Sequence, residues 1–377
     1  MARSAPWPPA GPPARCVPLK SRTEPEAFAQ SRPPGRLAAV IAADAVGLAA
    51  GYALDLAFGD PRRFHPVAGF GRAAGALERR VYAPSRWAGL VFTAAAVGAP
   101  VLAGVGLAAA TRHQPVARAA LTAAATWTVL GGPTLRREAR TMAGHLERGD
   151  LPAARGRLGH LCGRDPSALD ERELARATVE SVAENTSDAV VAPLLWGGVA
   201  GLPGLLGYRA ANTLDAMVGH RSARYERFGT AEARLDDALN LAPSRLTGLL
   251  TIGLAVVGGG THRETWRVWR RDRNDHPSPN AGQCEAAMAG ALGVRLGGRN
   301  VYFGRSEVRP LIGDGPRPSA KDARRAARVS AAVGAGAALM AIGLAWSRTE
   351  LLGRLRARAG VPPSWTAQGK PRRKERC

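Results

Sequence analysis

Three carboxylates stand close together in ATVESVAENTSDAVVAPLLWGG (Ala177–Gly198): Glu180, Glu184 and Asp188, with Asn185 and Ser187 among them and an apolar run directly behind. On a helix from Arg172 to Ser187, Glu180 and Glu184 lie one turn apart and Asp188 falls a further turn on. Like charges at that spacing repel by a few tenths of a kcal/mol (roughly) when exposed, and by more beside apolar surface. One reading is a solvated acidic face, or a helix end answered by Arg172 and Arg176. The sharper reading is a site for a divalent cation, which would neutralise the carboxylates; oxygen-only donors suit magnesium, which brings phosphates with it.

Two further stretches strengthen the sharper reading. Tyr208–Leu246 holds Asn212 and Asp215 at i,i+3, then Arg221, Arg224 and Arg227, then the adjacent pair Asp236 and Asp237. Neighbouring carboxylates face different sides of a helix, so one of the pair can bind while the other is structural. RNDHPSPNAGQCEAAMAGALGVRLGG (Arg273–Gly298) has the pattern of a loop entering a helix. Its prolines preset a turn, Asn280 is placed to cap the helix, and Gly282 permits close backbone approach to a ligand. Glu285 lies on the first turns, where exposed amides favour anions. Polar stretches of this kind, each bordering an apolar segment, are expensive to keep without a function.

The elements that must position these residues are apolar. Leu37–Phe58 has about the length of a membrane span but contains Asp44 and Asp55, whereas Trp87–Ala110 holds no charge at all. Val116–Gly132 follows after the short link TRHQP, which makes the two a hairpin. Ala189–Tyr208 is uncharged but broken by Pro193 and Pro203, so it is either a full span or a re-entrant element against protein. Arg245–Gly260 and Ala326–Trp346 complete the set. Dense Gly and Ala allow close helix approach, and basic residues crowd the flanks. The expected fold class is all-α: a polytopic α-helical membrane protein with about four to six membrane-embedded segments and polar helical loops. Residues 1–36, rich in Pro and Arg, read as a disordered extension; 37–346 as the membrane-embedded catalytic domain; 347–377 as a basic tail.

Composition excludes several classes. The formal charge is +22, from 52 Lys+Arg against 30 Asp+Glu over 377 residues. Aromatics are only 5 % and no basic helix interleaves them, so no nucleic-acid partner is expected. Four widely separated cysteines, with no C-x-x-C pair, indicate neither a zinc site nor a disulfide framework. No phosphate-cradling Gly-x4-Gly-Lys-Ser/Thr loop occurs.

Several long motifs, in order, resemble one family. LDLAFGDPRRFHPVAGFGR (Leu54–Arg72), the stretch Arg164–Trp196, the segment beginning at Asn212, and HPSPNAGQCEAAMAGALGV are similar to the adenosylcobinamide-phosphate synthase family, usually labelled CobD or CbiB. The resemblance spans roughly Leu37 to Trp346. It departs before Leu37, and the loop before His65 is a residue shorter than in many relatives.

The resemblance implies a multi-pass protein of the cell (inner, cytoplasmic) membrane that catalyses an ATP-dependent amide ligation in cobalamin biosynthesis. Adenosylcobyric acid would be joined to aminopropanol or its O-phosphate, with ATP and Mg2+ required and the corrinoid a substrate. Such chemistry needs magnesium for the triphosphate, cations for phosphate charge and a carboxylate for the amine proton. The catalytic candidates are Glu180, Glu184, Asp215 and Asp236; the metal candidates are Glu184, Asp188 and Asp237. Arg209, Arg221 and Arg224 are candidate phosphate clamps. Asn185, Asn212, His276, Ser278 and Asn280 are candidate nucleotide or substrate contacts. His65 and His276 each precede a proline, which suits a turn histidine as well as a catalytic one. Partners would be the bilayer and other late enzymes of the pathway. A membrane transporter and a non-catalytic scaffold are the competing readings.

Overall fold

The computed structural model describes residues 36–61, 65–220, 222–302 and 305–358. The extension expected over 1–36 therefore lies outside the described residues but for Arg36, as do 359–377 of the expected tail. The chain runs α1 (Arg36–Phe58), α2 (Pro66–Val81), α3 (Arg86–Ala110), α4 (Pro115–Val129), α5 (Gly132–Glu147), α6 (Leu151–Leu158) and α7 (Glu171–Thr186). It continues with α8 (Ala192–Ala200), α9 (Leu202–Leu214), α10 (Thr230–Gly253), α11 (His262–Asp272) and α12 (Ala281–Leu292). Then come a two-stranded antiparallel hairpin, β1 (Leu296–Tyr302) and β2 (Arg305–Ile312), and a long closing helix, α13 (Ala320–Arg358). The fold is mainly helical, with a small β-hairpin that the apolar periodicity does not announce. α13 passes Trp346 without a break, so the first part of the expected tail is helix.

Local chemistry starts these helices where the sequence supplies caps. Asp170 and Glu173 form a reciprocal capping box at α7, and Ser85, Asp150 and Thr261 each accept a backbone N–H at the starts of α3, α6 and α11. The core is built around α13, which packs against α1, α5, α7 and α8. α4 lies along α1, whereas α3 lies mainly along α9.

Among the described residues two helices, Arg86–Ala110 and Ala320–Arg348, are long and apolar enough to cross a membrane. α3 leaves Trp87, Leu90, Val91, Leu102 and Val105 exposed, and α13 leaves Leu339, Met340 and Trp346 exposed. Water is a poor solvent for such faces, and a contiguous apolar surface marks a place where something apolar covers it.

The segment Ala189–Tyr208 resolves into two antiparallel helices, α8 and α9, meeting at Gly201 (φ +67°). A side chain there would be strained by that φ, and its Cβ would come within 3.2–3.3 Å of Asp44, Arg118 and Arg348. Asp44, buried in α1, takes a bidentate pair from Arg118 of α4 at 2.6 and 2.9 Å, a further contact from Thr122 at 3.0 Å, and Arg348 of α13. The hairpin tip thus abuts an ionic knot of one carboxylate and two guanidinium groups, and its other end brings Asp188 and Asp215 back to the same end of the fold.

Candidate functional site

The acidic residues converge through two departures from α-helical geometry. Between α7 and α8 the chain makes one π turn, Ser187–Val191, in which the Ala192 N–H reaches the Ser187 carbonyl five residues back. Pro193 has no N–H to offer Ala189, and the freed Ala189 carbonyl accepts from Gly131 N at 3.1 Å instead. A second π turn, Asp215–Gly219, ends α9. Gly219 leaves the Asp215 carboxylate its place: a Cβ would sit 1.9 Å from Oδ1, so that carboxylate would have to move. Asp188 and Asp215 both open a π turn, a feature often found at functional sites.

Asp188, Asp215 and Asp236 of α10 form one electrostatic cluster. Burial, then Asp236, Glu184 and Asp215, push Asp188 well above the ordinary carboxylate range. Burial and Asp237 raise Asp215 to about 6, and burial and Asp215 raise Asp236 to about 7. Glu232, one turn before Asp236, is buried beside the Thr93 hydroxyl and is pushed up to about 8, chiefly by burial. Asp236 accepts from Asn240 Nδ2 at 2.9 Å through Oδ2, and the Asn212 side chain also lies beside it. Arg209 of α9 lies beside Asp188 and Asp60 and donates to Asn212 Oδ1 at 3.3 Å. Half-buried, mutually repelling carboxylates are the donor set a hard divalent cation satisfies.

A second cluster adjoins it. Glu184, half-buried, and Glu285 of α12, buried, face one another and Arg309 of β2; burial is the main cause raising both. His276 completes the group: one ligand-type atom each of Glu184, His276 and Glu285 lie within 4.8 Å of one another. His276 Nδ1 accepts from Ser278 N at 3.0 Å, which assigns the proton of the neutral ring to Nε2, 3.9 Å from Glu285 Oε1. Burial holds His276 down at about 4, so it is neutral near pH 7. With Nε2 protonated the ring offers a donor rather than a lone pair, so this trio suits handling a proton better than ligating a metal.

Several expectations need correction. Glu180 is occupied: Oε2 pairs with Arg164 Nη2 at 2.6 Å, and Oε1 accepts from Arg176 Nη1 at 3.1 Å and Gly297 N at 2.8 Å. Arg176 in turn holds Asn300 Oδ1 and the Arg299 carbonyl at 2.9 Å each. Glu180 therefore fastens the β-hairpin to α7 rather than presenting a base, and Arg176 answers it, though as a buried pair and not at a solvated helix face. Arg224 clamps no phosphate site: it pairs with Glu78 at 3.0 Å and stacks 4.0 Å over the Tyr82 ring. Asn280 does not cap α12; it donates to the Asp237 carbonyl at 2.8 Å and accepts from Ser244 Oγ at 3.1 Å, while Ser278 Oγ accepts the Ala281 N–H. Gly282 is close to the chain itself, because a Cβ would meet the Arg273 carbonyl at 2.4 Å. Asn185 gives its amide to Ser181 at 2.9 Å, leaving only its oxygen for a ligand. Arg221 lies outside the described residues. Asp237 is half-buried beside the cluster, and burial raises it.

The structure adds Arg164, Arg309, Glu232 and Asp60, none of which the sequence reading placed at the site. Arg164 and Asp60 fall within the quoted motifs; Arg309 arrives on a strand and had no sequence signal. Both His-Pro pairs use Nδ1 in the same way: His65 accepts from Val67 N at 3.2 Å to start α2, and it lies near Asp60 and Arg209.

Comparison with known proteins now bears on this arrangement. Residues 48–330 match the family model described as CobD/Cbib protein. The chain belongs to the CobD/CbiB family. It is 52 % identical over 305 residues to the cobalamin biosynthesis protein CobD of Mycobacterium tuberculosis, covering 81 % of this chain and 96 % of that protein. The corresponding protein of Geobacter metallireducens is 47 % identical over 270 residues (70 % and 85 %), and that of Chromobacterium violaceum 45 % over 284 (73 % and 88 %). No solved structure matches. Every element that brings carboxylates to the CobD/CbiB site, from the end of α1 to α12, lies inside the matched region.

The raised carboxylates give a pH signature. Above about pH 6.5 the unfolded chain holds Asp236 and Glu232 ionised and histidine neutral, while the fold still retains protons on the two carboxylates, raised to about 7 and about 8. The native state then binds more protons than the unfolded one, so stability falls as pH rises. In chelator the melting temperature should drop from about pH 6.5 to about pH 8.5, and magnesium should raise it more at the upper end, where its ligands are deprotonated. Equal melting across that window, with and without magnesium, would leave the cluster without a cation.

Proposed function

We propose that this protein acts in cobalamin biosynthesis as an ATP-dependent, amide-forming ligase that joins adenosylcobyric acid to aminopropanol or its O-phosphate. The observation that carries the reading is the meeting, at one end of the fold, of an oxygen-only carboxylate cluster, a half-buried arginine and a second carboxylate pair, in a chain of the CobD/CbiB family. A carboxylate is a poor electrophile because its oxygen cannot leave. Its attack on the γ-phosphorus of ATP, with ADP departing, gives an acyl phosphate; the amine nitrogen then attacks the carbonyl, and phosphate leaves as the amide forms.

The residues fit this division of labour. Asp188, Asp215 and Asp236 would hold magnesium, which when bound screens the triphosphate charge. Arg209, with Nε buried and unpartnered, is the cation that meets phosphate oxygens. The ammonium proton must be lost before attack, and the Glu184–Glu285 pair is the acceptor: burial raises both, which makes each a stronger base than an exposed carboxylate. His276 keeps its Nε2 proton directed at this pair. Turnover by purified protein, read as adenosylcobinamide or its phosphate with stoichiometric ADP, tests the reaction; formation of neither product with ATP and magnesium present would reject it.

We also infer a multi-pass place in the cell membrane, supported by the exposed apolar faces of α3 and α13. The protein should stay in the membrane fraction through high salt and carbonate, and release by salt alone would oppose the reading. A transporter should keep mobile charges within its spans. Asp44 is instead locked to Arg118 and Arg348, which counts against transport. Other late enzymes of the pathway are the proposed membrane partners.

A further inference from the structure

α5 and the start of α13 enclose an open groove of about 640 Å³. Its lining is basic: Arg137, Arg140 and Arg148 stand along one stripe of α5 and its C-cap, Thr141 and His145 lie between them, and Arg324 closes the wall from α13. Those α5 positions recur every three or four residues, which is why one helix brings them to a single groove. Arg137 gives one N–H to Thr134 Oγ1 at 3.1 Å, and Arg148 shares one with His145 Nδ1 at 3.2 Å. Neither these two nor Arg140 forms an ion pair with a carboxylate among the described residues, and a guanidinium has five N–H donors to offer. Arg324 is answered by Glu147 at 2.7 Å, while Glu138 is taken up by Arg157 at 2.6 and 2.7 Å. Asp150 lies 3.6 Å from His145. The groove therefore keeps an excess of cations.

Position along α13 selects the anion. Arg328 is the last charge on this helix before Arg348, and the uncharged stretch between them is about 28 Å long at ~1.5 Å per residue, close to the ~30 Å of a hydrocarbon core. Leu339, Met340 and Trp346 of that stretch are exposed. Arg324 stands one turn outside it, with Lys321 and Arg328 exposed on either side, so the groove lies level with headgroups rather than acyl chains. Guanidinium groups hold phosphate oxygens in pairs, and basic pockets beside membrane helices take acidic headgroups. A free phosphate would satisfy the charge but gain nothing from that level. We propose that this groove is a binding site for the headgroup of an anionic phospholipid, whose phosphate accepts from Arg140 and Arg148 while its acyl chains follow the exposed face of α13. The site rests on the membrane reading above and shares no residue with the carboxylate clusters.

The test reconstitutes the full chain in phosphatidylcholine vesicles holding a minor share of phosphatidylglycerol. The protein is then extracted in mild detergent, and the lipid that stays bound is identified by mass spectrometry. Phosphatidylglycerol should be retained in preference to the more abundant phosphatidylcholine. Arg140→Gln combined with Arg148→Gln should weaken that retention about tenfold, the loss of charge-assisted hydrogen bonds to the phosphate. Both side chains are exposed, so the melting temperature in phosphatidylcholine alone should not change. Each single substitution should show part of the same loss, which keeps the result independent of any folding defect in the pair. Arg112→Gln removes an exposed cation off the groove and should retain the lipid like the wild type. Equal retention of the two lipids by the wild type, displacement of the lipid by inorganic phosphate, or an equal loss in Arg112→Gln would overturn the assignment. Protein that inserts in phosphatidylcholine yet shows no preference rejects the site alone, whereas protein that enters neither bilayer rejects the membrane reading and the site together.

Discussion

Asp188→Asn should lower turnover by about a hundredfold or more, as when a preorganised electrostatic group is lost. Asp188 lies among Glu184, Asp215 and Asp236, and burial plus those neighbours already make its charge costly. Removing the charge takes away a cation ligand but relieves repulsion, so the melting temperature in chelator should hold or rise. The apparent magnesium requirement should increase, and excess magnesium should recover part of the activity. Glu184→Gln separates the two clusters: turnover should also fall on the order of a hundredfold, but with magnesium dependence unchanged, because that carboxylate faces Glu285 and Arg309. If Asp188→Asn turns over normally with the same magnesium curve, the cation site is elsewhere.

Glu180→Gln should do the opposite and destabilise the fold. The glutamate and Arg164 are each 3 % exposed at the side chain, and Arg176 is 6 % exposed. Deleting one member of a buried ion pair costs about 3–5 kcal/mol, because the remaining charge is left uncompensated in a medium that cannot solvate it. Here two guanidinium groups lose their counter-charge and the Gly297 amide meets a weaker acceptor. The variant should melt well below the wild type and accumulate poorly, while any folded fraction keeps its KM for ATP. A protein of unchanged melting temperature that has lost turnover would return Glu180 to the chemistry.

The contrast between these neighbours shows how far sequence can reach. Glu180, Glu184 and Asp188 look equivalent in one dimension: same charge, same spacing, same apolar border. Spacing predicts that they share a helical face but says nothing of what faces them. Arg164 arrives from the loop before α7, and Arg309 and Gly297 from the β-hairpin more than a hundred residues on. Those arrivals make Glu180 a fastener and set Glu184 against Glu285 and Arg309, while Asp188 is left among Asp236 and Asp215.

The sequence by itself determined the long apolar helices, because an uncharged run such as Trp87–Ala110 has a single economical fate, and it determined the acidic stretches, because repelling carboxylates beside apolar surface need a compensating ion or partner. It also fixed family membership through several long motifs in order. Only the tertiary structure decided that Ala189–Tyr208 turns back at Gly201, since two prolines permit either a span or a hairpin, and only packing against the Asp44–Arg118–Arg348 knot selects one. The same return places Asp188 beside Asp215. Charge interactions fall off with distance in space, not along the chain, so which acids raise one another and which are neutralised is set when α7, α9, α10 and α12 come together.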